Sequence, residues 1–242
     1  MLEFFSNSLL SGFWLSSGMG KGIVLIQLCS SVVMVAFIIG KWRELGGLVK
    51  SSRRAMRDIL GSQHVLDHRL TREDNSHSPI ENIYWGTCDR LIRVMPPAAQ
   101  AQVRARQLGV PASLSTHEVA LVESKANHIL DEESLRVEKG MGIIATVVSL
   151  APMLGLLGTV WGVLDAFADM GAAGSATIAT MAPAISSALV TTVVGLLVAI
   201  PGVAAATYLN AEKRGLLADM DAFVDDFMGR IGVEFQESGR LA

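Results

Sequence analysis

Charged residues are scarce in this 242-residue sequence: Asp, Glu, Lys and Arg make up 18% of it, against about 25% in an ordinary soluble domain. Half of the residues are apolar, and the mean hydropathy is +0.42. The charges are concentrated in the middle third and near the C-terminus, which leaves long uncharged stretches elsewhere. This composition argues against a soluble globular protein. A net charge of −3 also gives no reason to expect nucleic-acid binding.

Cysteine is scarce too, with Cys29 in an apolar run and Cys88 in a polar segment. Because the two residues lie in such different surroundings, we expect two free thiols and no disulfide. His64 and His68 have the spacing of one helical face, and His77 follows them. No cysteine or carboxylate arrangement completes a metal site around these histidines. The sequence therefore predicts neither a metal nor another cofactor.

Motifs of enzyme chemistry are missing as well. The polar middle contains no phosphate-binding loop, nucleophile elbow, zinc motif or paired carboxylates. The apolar stretches contain no histidine, no Ser–Lys pair and no pair of aspartates. We therefore expect that the chain is not an enzyme.

Long apolar runs are what the sequence does contain. A bilayer core of about 30 Å needs roughly 20 apolar residues in a helix, and residues 22–40, 140–167 and 177–208 qualify. The prediction is an all-α membrane protein with three transmembrane helices and long helical cytoplasmic extensions. The first run lacks the basic start and the cleavage pattern of a signal peptide. We expect it to be a retained, lipid-facing anchor whose one amide is Gln27.

Basic residues predict the orientation of the spans. They follow the first and third spans and are absent from the loop between the second and third: Lys41, Arg43, Lys50, Arg53, Arg54, Arg57, Lys213 and Arg214. The positive-inside rule then gives a periplasmic segment over 1–21, a cytoplasmic helical region over 41–139, a periplasmic loop over 168–176 and a cytoplasmic C-terminal helix over 209–242. We expect a multi-pass protein of the bacterial inner membrane with a periplasmic N-terminus and a cytoplasmic C-terminus.

Two amphipathic stretches lie outside the spans. Ser115 and Glu118 have the spacing of a capping box, at the start of a helix that we expect to continue unbroken into the second span. Near the C-terminus, apolar residues recur at helical spacing: Leu216, Leu217, Met220, Phe223, Val224, Phe227 and Ile231. We expect the two stretches to pack on each other or on neighbouring subunits.

Small and hydroxyl residues recur on one face of the second and third spans. Such faces let helices approach closely in lipid. We assign a role in helix packing to the glycines and to two prolines of these spans: Gly155, Gly158, Gly162, Pro183, Gly195 and Pro201. Packing explains the hydroxyls of Thr159, Ser187, Thr191 and Thr192 less well. A row of hydroxyls on neighbouring helices could instead hydrogen-bond an ion or the carboxylate of a partner.

Two segments of these spans resemble the MotA/TolQ/ExbB proton-channel family. They are APMLGLLGTVWG at residues 151–162 and MAPAISSALVTTVVGLLVAIPG at residues 181–202. The close match covers about residues 140–210, and the three-span layout resembles TolQ and ExbB more than MotA. The resemblance implies a homopentamer around a central pore. Two copies of a TolR/ExbD-like single-span partner would lie in that pore and carry the aspartate that is protonated and released.

The resemblance also implies polar pore-lining roles for Thr159 and Thr192, with Thr191 and Ser187 beside them. One departure is Ser187, which stands where TolQ and ExbB usually have a glutamate. A second is Asp165, which lies where those proteins have a neutral polar residue. A carboxylate at that depth either attracts cations at the outer mouth or is a solvated helix-end residue.

Several alternatives stay open at this stage. The coupled ion is a proton or sodium, and the system served is envelope maintenance with a TolA-like protein, uptake with a TonB-like protein, or a gliding or secretion system. A passive membrane scaffold without ion conduction is the competing function. A neighbouring gene for a short single-span protein with an aspartate in its span would favour the channel.

Overall fold

A computed structural model of the protein describes residues 18–71, 78–105, 107, 112–173 and 178–236. Within these residues all regular structure is helical. The helices are α1 (Gly18–Leu60), α2 (Asp67–Thr71), α3 (Pro79–Val94), α4 (Pro97–Arg104), α5 (Thr116–Glu138), α6 (Met141–Ala173) and α7 (Ile178–Gln236). The predicted segment over residues 1–21 lies almost entirely outside the described residues.

Three helical stretches of the described chain are long and apolar enough to cross a membrane: Gly18–Leu60, Thr116–Ala172 and Met181–Phe235. They contain α1, α6 and α7, so the predicted number of spans is confirmed. α6 continues to Ala173, beyond the predicted end of the second span at Phe167. Residues 174–177 of the predicted loop are outside the described residues.

The chain divides into two compact units, with boundaries after Trp42, Lys139 and Leu209. We call residues 18–42, 140–173 and 178–209 the span unit. The remaining described residues form the helical unit. α1 and α7 each contribute residues to both units.

The span unit has small residues inside and large apolar residues outside. Its packed core combines Met34 of α1 with Ala151 of α6 and with Val198 and Ala199 of α7. The outward face carries side chains that are more than half exposed, such as Leu156 at 63%. Lipid is as apolar as leucine, so a helix gains little by turning leucines inward and gains more from close packing of small residues.

The junction between α5 and α6 is broken at Gly140. Its φ of +87° is favourable only for glycine, and the N–H of Lys139 bonds back to the carbonyls of Leu135 and Arg136. α5 therefore ends at Glu138 and α6 begins at Met141. The prediction of one unbroken helix into the second span is wrong, because this glycine ends the first helix at its C-terminus.

The helical unit is built around the amphipathic end of α7. Six residues of its predicted apolar stripe are buried, and the seventh, Leu217, is half-buried: Leu216, Met220, Phe223, Val224, Phe227 and Ile231. Tyr84 of α3 packs on Phe227, and its hydroxyl donates to the carbonyl of Val65. Burial raises the pKa of the neighbouring Cys88 thiol to about 12, which keeps the thiol neutral.

α5 packs on two neighbours within this unit. Ser115 and Glu118 form the predicted capping box, with Ser115 Oγ accepting from the N–H of Glu118. A Cβ on Gly86 of α3 would overlap the side chain of Ile129, so this glycine permits the close approach of α3 and α5. Lys213 of α7 pairs with Glu138 at 2.9 Å, in agreement with the predicted packing of the two amphipathic stretches.

Candidate ion-path site

Two neighbouring threonines of α7 reach the same backbone carbonyl of α6. Thr192 Oγ1 donates to the carbonyl of Gly155 at 2.8 Å. Thr191 Oγ1 lies 2.7 Å from the carbonyl of Ala188 and 3.3 Å from that of Gly155, so its single proton is shared between them. Thr191 is buried and Thr192 half-buried. We call these two hydroxyls and the Gly155 carbonyl the threonine cluster.

Glycines, which have no side chain, let α6 and α7 approach closely at the threonine cluster. A Cβ on Gly155 would lie 3.0 Å from the Cα of Thr192, and one on Gly158 would overlap the side chain of Thr191. A Cβ on Gly162 would lie 3.2 Å from the Cα of Ala188. Moving along α6 from Gly155 to Gly162 therefore corresponds to moving backwards along α7, which shows that the two helices are antiparallel.

Gly195 marks the other end of this contact. A Cβ there would lie 2.7 Å from the carbonyl oxygen of Ala151 and 2.9 Å from the side-chain nitrogen of Gln27. Both distances are shorter than real Cβ atoms show, and one of the atoms belongs to the backbone. The glycine thus leaves room for a polar side chain as well as for the helix contact.

The other predicted site residues do not bond the Gly155 carbonyl that the threonine cluster shares. Thr159 is half-buried, and its hydroxyl donates to the carbonyl of Leu156 in its own helix at 2.7 Å. Ser187 is buried and bonds the carbonyl of Ala184 at 3.1 Å. Asp165 is half-buried, and its Oδ2 is buried with no hydrogen-bond partner among the described residues.

The two prolines of the third span lie within α7 with exposed rings. Pro201 lacks the N–H that would bond the carbonyl of Leu197, and Pro183 lacks its donor in the same way. Their rings lie outside the threonine cluster. The structure therefore brings together Gly155, Gly158, Thr191, Thr192 and Gly195, and leaves the prolines on the surface of the span unit.

Gln27 of α1 is a polar residue of this site that sequence reasoning did not assign to it. The side chain is fully buried, and its Nε2 donates to the carbonyl of Ala151 at 3.2 Å. Its Oε1 is buried without a hydrogen-bond partner in the described part of the chain. A lone amide in an uncharged apolar run was the available signal, because a polar group at that depth needs a protein partner.

The chemistry of the site is limited to hydroxyl, amide and carbonyl oxygens. Among the described residues, the two threonine hydroxyls bond only backbone carbonyls and no acidic or basic side chain. Over the described residues, no group of three or more His, Cys, Asp or Glu side chains could hold a metal ion. The cluster can accept and donate hydrogen bonds or solvate a cation.

The sequence pattern of the MotA/TolQ/ExbB proton channel family matches residues 95–222 of the chain, a range that includes the threonine cluster. This match covers more than half of the protein. The chain belongs to the MotA/TolQ/ExbB proton channel family, which confirms the family resemblance found in the two span segments.

Individual relatives point to the TolQ and ExbB branches. The chain is 39% identical over 118 residues to the biopolymer transport protein ExbB of Xanthomonas campestris pv. campestris (strain B100), covering 49% of this chain and 46% of that protein. It is 28% identical over 211 residues to the Tol-Pal system protein TolQ of Haemophilus influenzae, covering 85% of each. A third relative, ExbB of Neisseria gonorrhoeae, is 42% identical over 96 residues, with 40% of this chain and 44% of that protein covered.

The chain thus spans less than half of the length of these ExbB relatives and most of the length of the TolQ relative. Together with the three apolar helices, the family identifies a multi-pass inner-membrane protein. The family's description is that of a proton channel and not of an enzyme.

Proposed function

We propose that the chain is the ring-forming subunit of an inner-membrane ion channel and motor, which converts the proton motive force into mechanical work. The observation that carries the proposal is the threonine cluster, a polar contact buried between two apolar spans in a chain of a proton channel family. Polar groups at membrane depth need partners within the protein, and polar residues that face the interior of a bundle line ion pathways in many membrane proteins.

The assembly we propose has five copies of this chain around a pore that holds two copies of a TolR/ExbD-like single-span protein. The names of the relatives, Tol-Pal system protein and biopolymer transport protein, support a role in energising the cell envelope or outer-membrane transport. A TolA- or TonB-like protein would then receive the work. The basic residues after the first and third spans support a periplasmic N-terminus and a cytoplasmic C-terminus.

The partner's aspartate supplies the acid–base chemistry that the threonine cluster lacks. In the proposed cycle, hydroxyl and carbonyl oxygens of the ring solvate the ion, and the partner carboxylate takes it up and releases it. One charge that crosses 100 mV releases about 2.3 kcal/mol. This is roughly four times the thermal energy, so each ion is able to drive a discrete step.

Asp165 is the second polar feature of the proposed path. Its buried Oδ2 has no hydrogen-bond partner among the described residues, which is unlike a fully solvated helix-end carboxylate. This favours the interpretation that Asp165 attracts cations at the outer mouth. Ser187, in contrast, bonds its own helix and replaces the glutamate usual in TolQ and ExbB without replacing its charge.

The pore-lining role of Thr159 is tested by Thr159→Val in cells that lack the native chain. We expect the variant to assemble with its partner and to lose gradient-dependent activity, because the substitution keeps the shape and removes the hydroxyl. Envelope integrity and outer-membrane uptake are both measured, so the same experiment identifies the system served.

Thr146→Val is the matched control on the same helix, since Thr146 is exposed and its hydroxyl only bonds the carbonyl of Gly142. It should behave like the wild type. An assembled Thr159→Val complex with full activity would overturn the assignment of Thr159. If the wild-type complex itself works without a gradient, the passive scaffold is the correct function.

A further inference from the structure

We propose that Gln27 of the first span is a positioning residue for the threonine cluster, acting through the backbone of α6. This deepens the proposed function and rests on it, because the cluster is taken to lie on the ion path. The first span would then be more than the lipid-facing anchor that its hydropathy predicts.

A short chain of hydrogen bonds connects Gln27 to the cluster. The amide donates to the carbonyl of Ala151, which in an α-helix also accepts from the N–H of Gly155, four residues on. The carbonyl of Gly155 is the one that both threonine hydroxyls reach. The Gln27 amide therefore holds the turn of α6 whose last carbonyl orients Thr191 and Thr192.

Two glycines make the space that the amide occupies. The Gln27 Nε2 atom lies 2.9 Å from the Cβ position of Gly195 and 3.5 Å from that of Gly155. An alanine at Gly195 would push against the amide as well as against the Ala151 carbonyl. The two glycines thus make room for the Gln27 side chain of the first span as well as for the close approach of α6 to α7.

The unpaired Oε1 indicates that Gln27 is not there for stability alone. A buried amide carbonyl without a partner among the described residues is unfavourable. The Ala151 carbonyl also accepts from the N–H of Gly155 within α6, so removing the Gln27 amide leaves no buried acceptor unpaired. A side chain kept only to hold α1 in place would be better replaced by methionine.

The test is ion flux through the complete complex in vesicles, measured against ion concentration for Gln27→Met. We expect the variant to assemble with unchanged or higher thermal stability. The half-saturating ion concentration should shift roughly three- to tenfold, the range that follows from loss of one interhelical hydrogen bond in a membrane. A purely structural role would change the amount of complex, and hence only the maximal flux.

Leu28→Met is the matched control, because Leu28 is adjacent to Gln27 on α1, is half exposed, and receives the same new side chain. It should leave both flux parameters unchanged. If Gln27→Met fails to assemble, Gln27→Asn is used, since it keeps the amide but is one methylene too short to reach Ala151.

Thr192→Val in the same assay distinguishes a failure of the role proposed for Gln27 from a failure of the proposed function. If Thr192→Val alters the flux while the assembled Gln27 variant matches the wild type in half-saturation, the role of Gln27 is refuted and the proposed function stands. If Thr192→Val also leaves the flux of an intact complex unchanged, the proposed function itself fails.

Discussion

Thr191 and Thr192 are adjacent in the sequence, yet both hydroxyls reach the carbonyl of Gly155 on the neighbouring helix. Threonine in a helix usually bonds a carbonyl of its own preceding turn, as Thr159 does here. The difference lies in the lack of side chains at Gly155 and Gly158, which brings the Gly155 carbonyl of α6 within 2.8 Å of Thr192 Oγ1 and 3.3 Å of Thr191 Oγ1. Two residue types, glycine on one helix and threonine on the other, are needed to make the cluster.

Gly195→Ala should destabilise the span unit by about 1–3 kcal/mol, the usual cost of inserting a methylene into a close-packed region. The new Cβ would lie 2.7 Å from the backbone carbonyl of Ala151, and a backbone atom cannot turn away as a side chain does. Thermal unfolding of the purified protein in detergent measures the change.

Gly142→Ala is the control for this substitution, because its Cβ would contact no other part of the described chain beyond the adjacent backbone of its own helix. It should leave the unfolding temperature unchanged or raise it slightly, since alanine favours a helix over glycine. Equal destabilisation by both substitutions would mean that the loss comes from the helix and not from the contact with α6.

The sequence predicts only some of the residues that form the site. The spacing of Gly155, Thr192 and Gly195 indicates a close seam, and these three residues do meet across it. The same spacing includes Thr159, whereas Gly158 is the residue that contacts Thr191. Neighbouring positions on a helix differ by about 100° of rotation, so a pattern of period 3.6 does not decide which of the two faces α7.

The C-terminus of α1 is capped by a side chain of another helix, α7. The guanidinium of Arg230 on α7 donates to the carbonyls of Ile59, Leu60 and Ser62 at 3.1, 3.1 and 2.6 Å. The last carbonyls of a helix have no partner within the helix, and a positive charge there is also favoured by the helix dipole. One side chain thus fixes the end of α1 within the helical unit.

Arg230→Met should lower the free energy of unfolding by about 2 kcal/mol, because it removes charged hydrogen bonds and keeps most of the apolar stem. Arg230→Lys should lose less of the free energy of unfolding than Arg230→Met but still be less stable than the wild type. One ammonium cannot reach three carbonyls in the way that a planar guanidinium does. Hydrogen exchange at Gly61 and Ser62 should rise in both variants.

Arg214→Met provides the comparison, because Arg214 is exposed and donates only to the carbonyl of Asn210 in its own helix. It should change neither stability nor exchange at the end of α1. Unchanged hydrogen exchange at Gly61 and Ser62 in Arg230→Met would show that the C-terminus of α1 is stable without the Arg230 side chain.

The helices themselves are the part of the fold that the sequence predicts best. Uncharged runs of about 20 residues define the three spans, and apolar spacing defines the buried stripe of α7. The break at Gly140 is missed because glycine is also common within transmembrane helices, where it serves packing. Only the positive φ distinguishes this glycine from Gly155 or Gly158, and φ is not visible in the sequence.

For the molecule as a whole, the division into two units matches a division of chemistry. The span unit carries the threonine cluster and Gln27 within an apolar exterior, and the helical unit carries most of the charges. A ring of several copies would use the large exposed apolar side chains of the span unit for contacts with lipid, neighbours or partner spans. Such contacts depend on other chains, so neither hydropathy nor spacing within one chain predicts the number of copies.

Ion flux through the assembled complex tests whether the threonine cluster lies on the path of the driving ion. The complex of this chain with the proposed single-span protein is placed in vesicles, a gradient is imposed, and Thr192→Val is compared with Thr207→Val. Thr207 lies on the same helix, is exposed, and bonds only the carbonyl of Val203. We predict that Thr192→Val lowers the flux at least tenfold while Thr207→Val conducts like the wild type. Equal flux through assembled wild-type and Thr192→Val complexes would contradict the account.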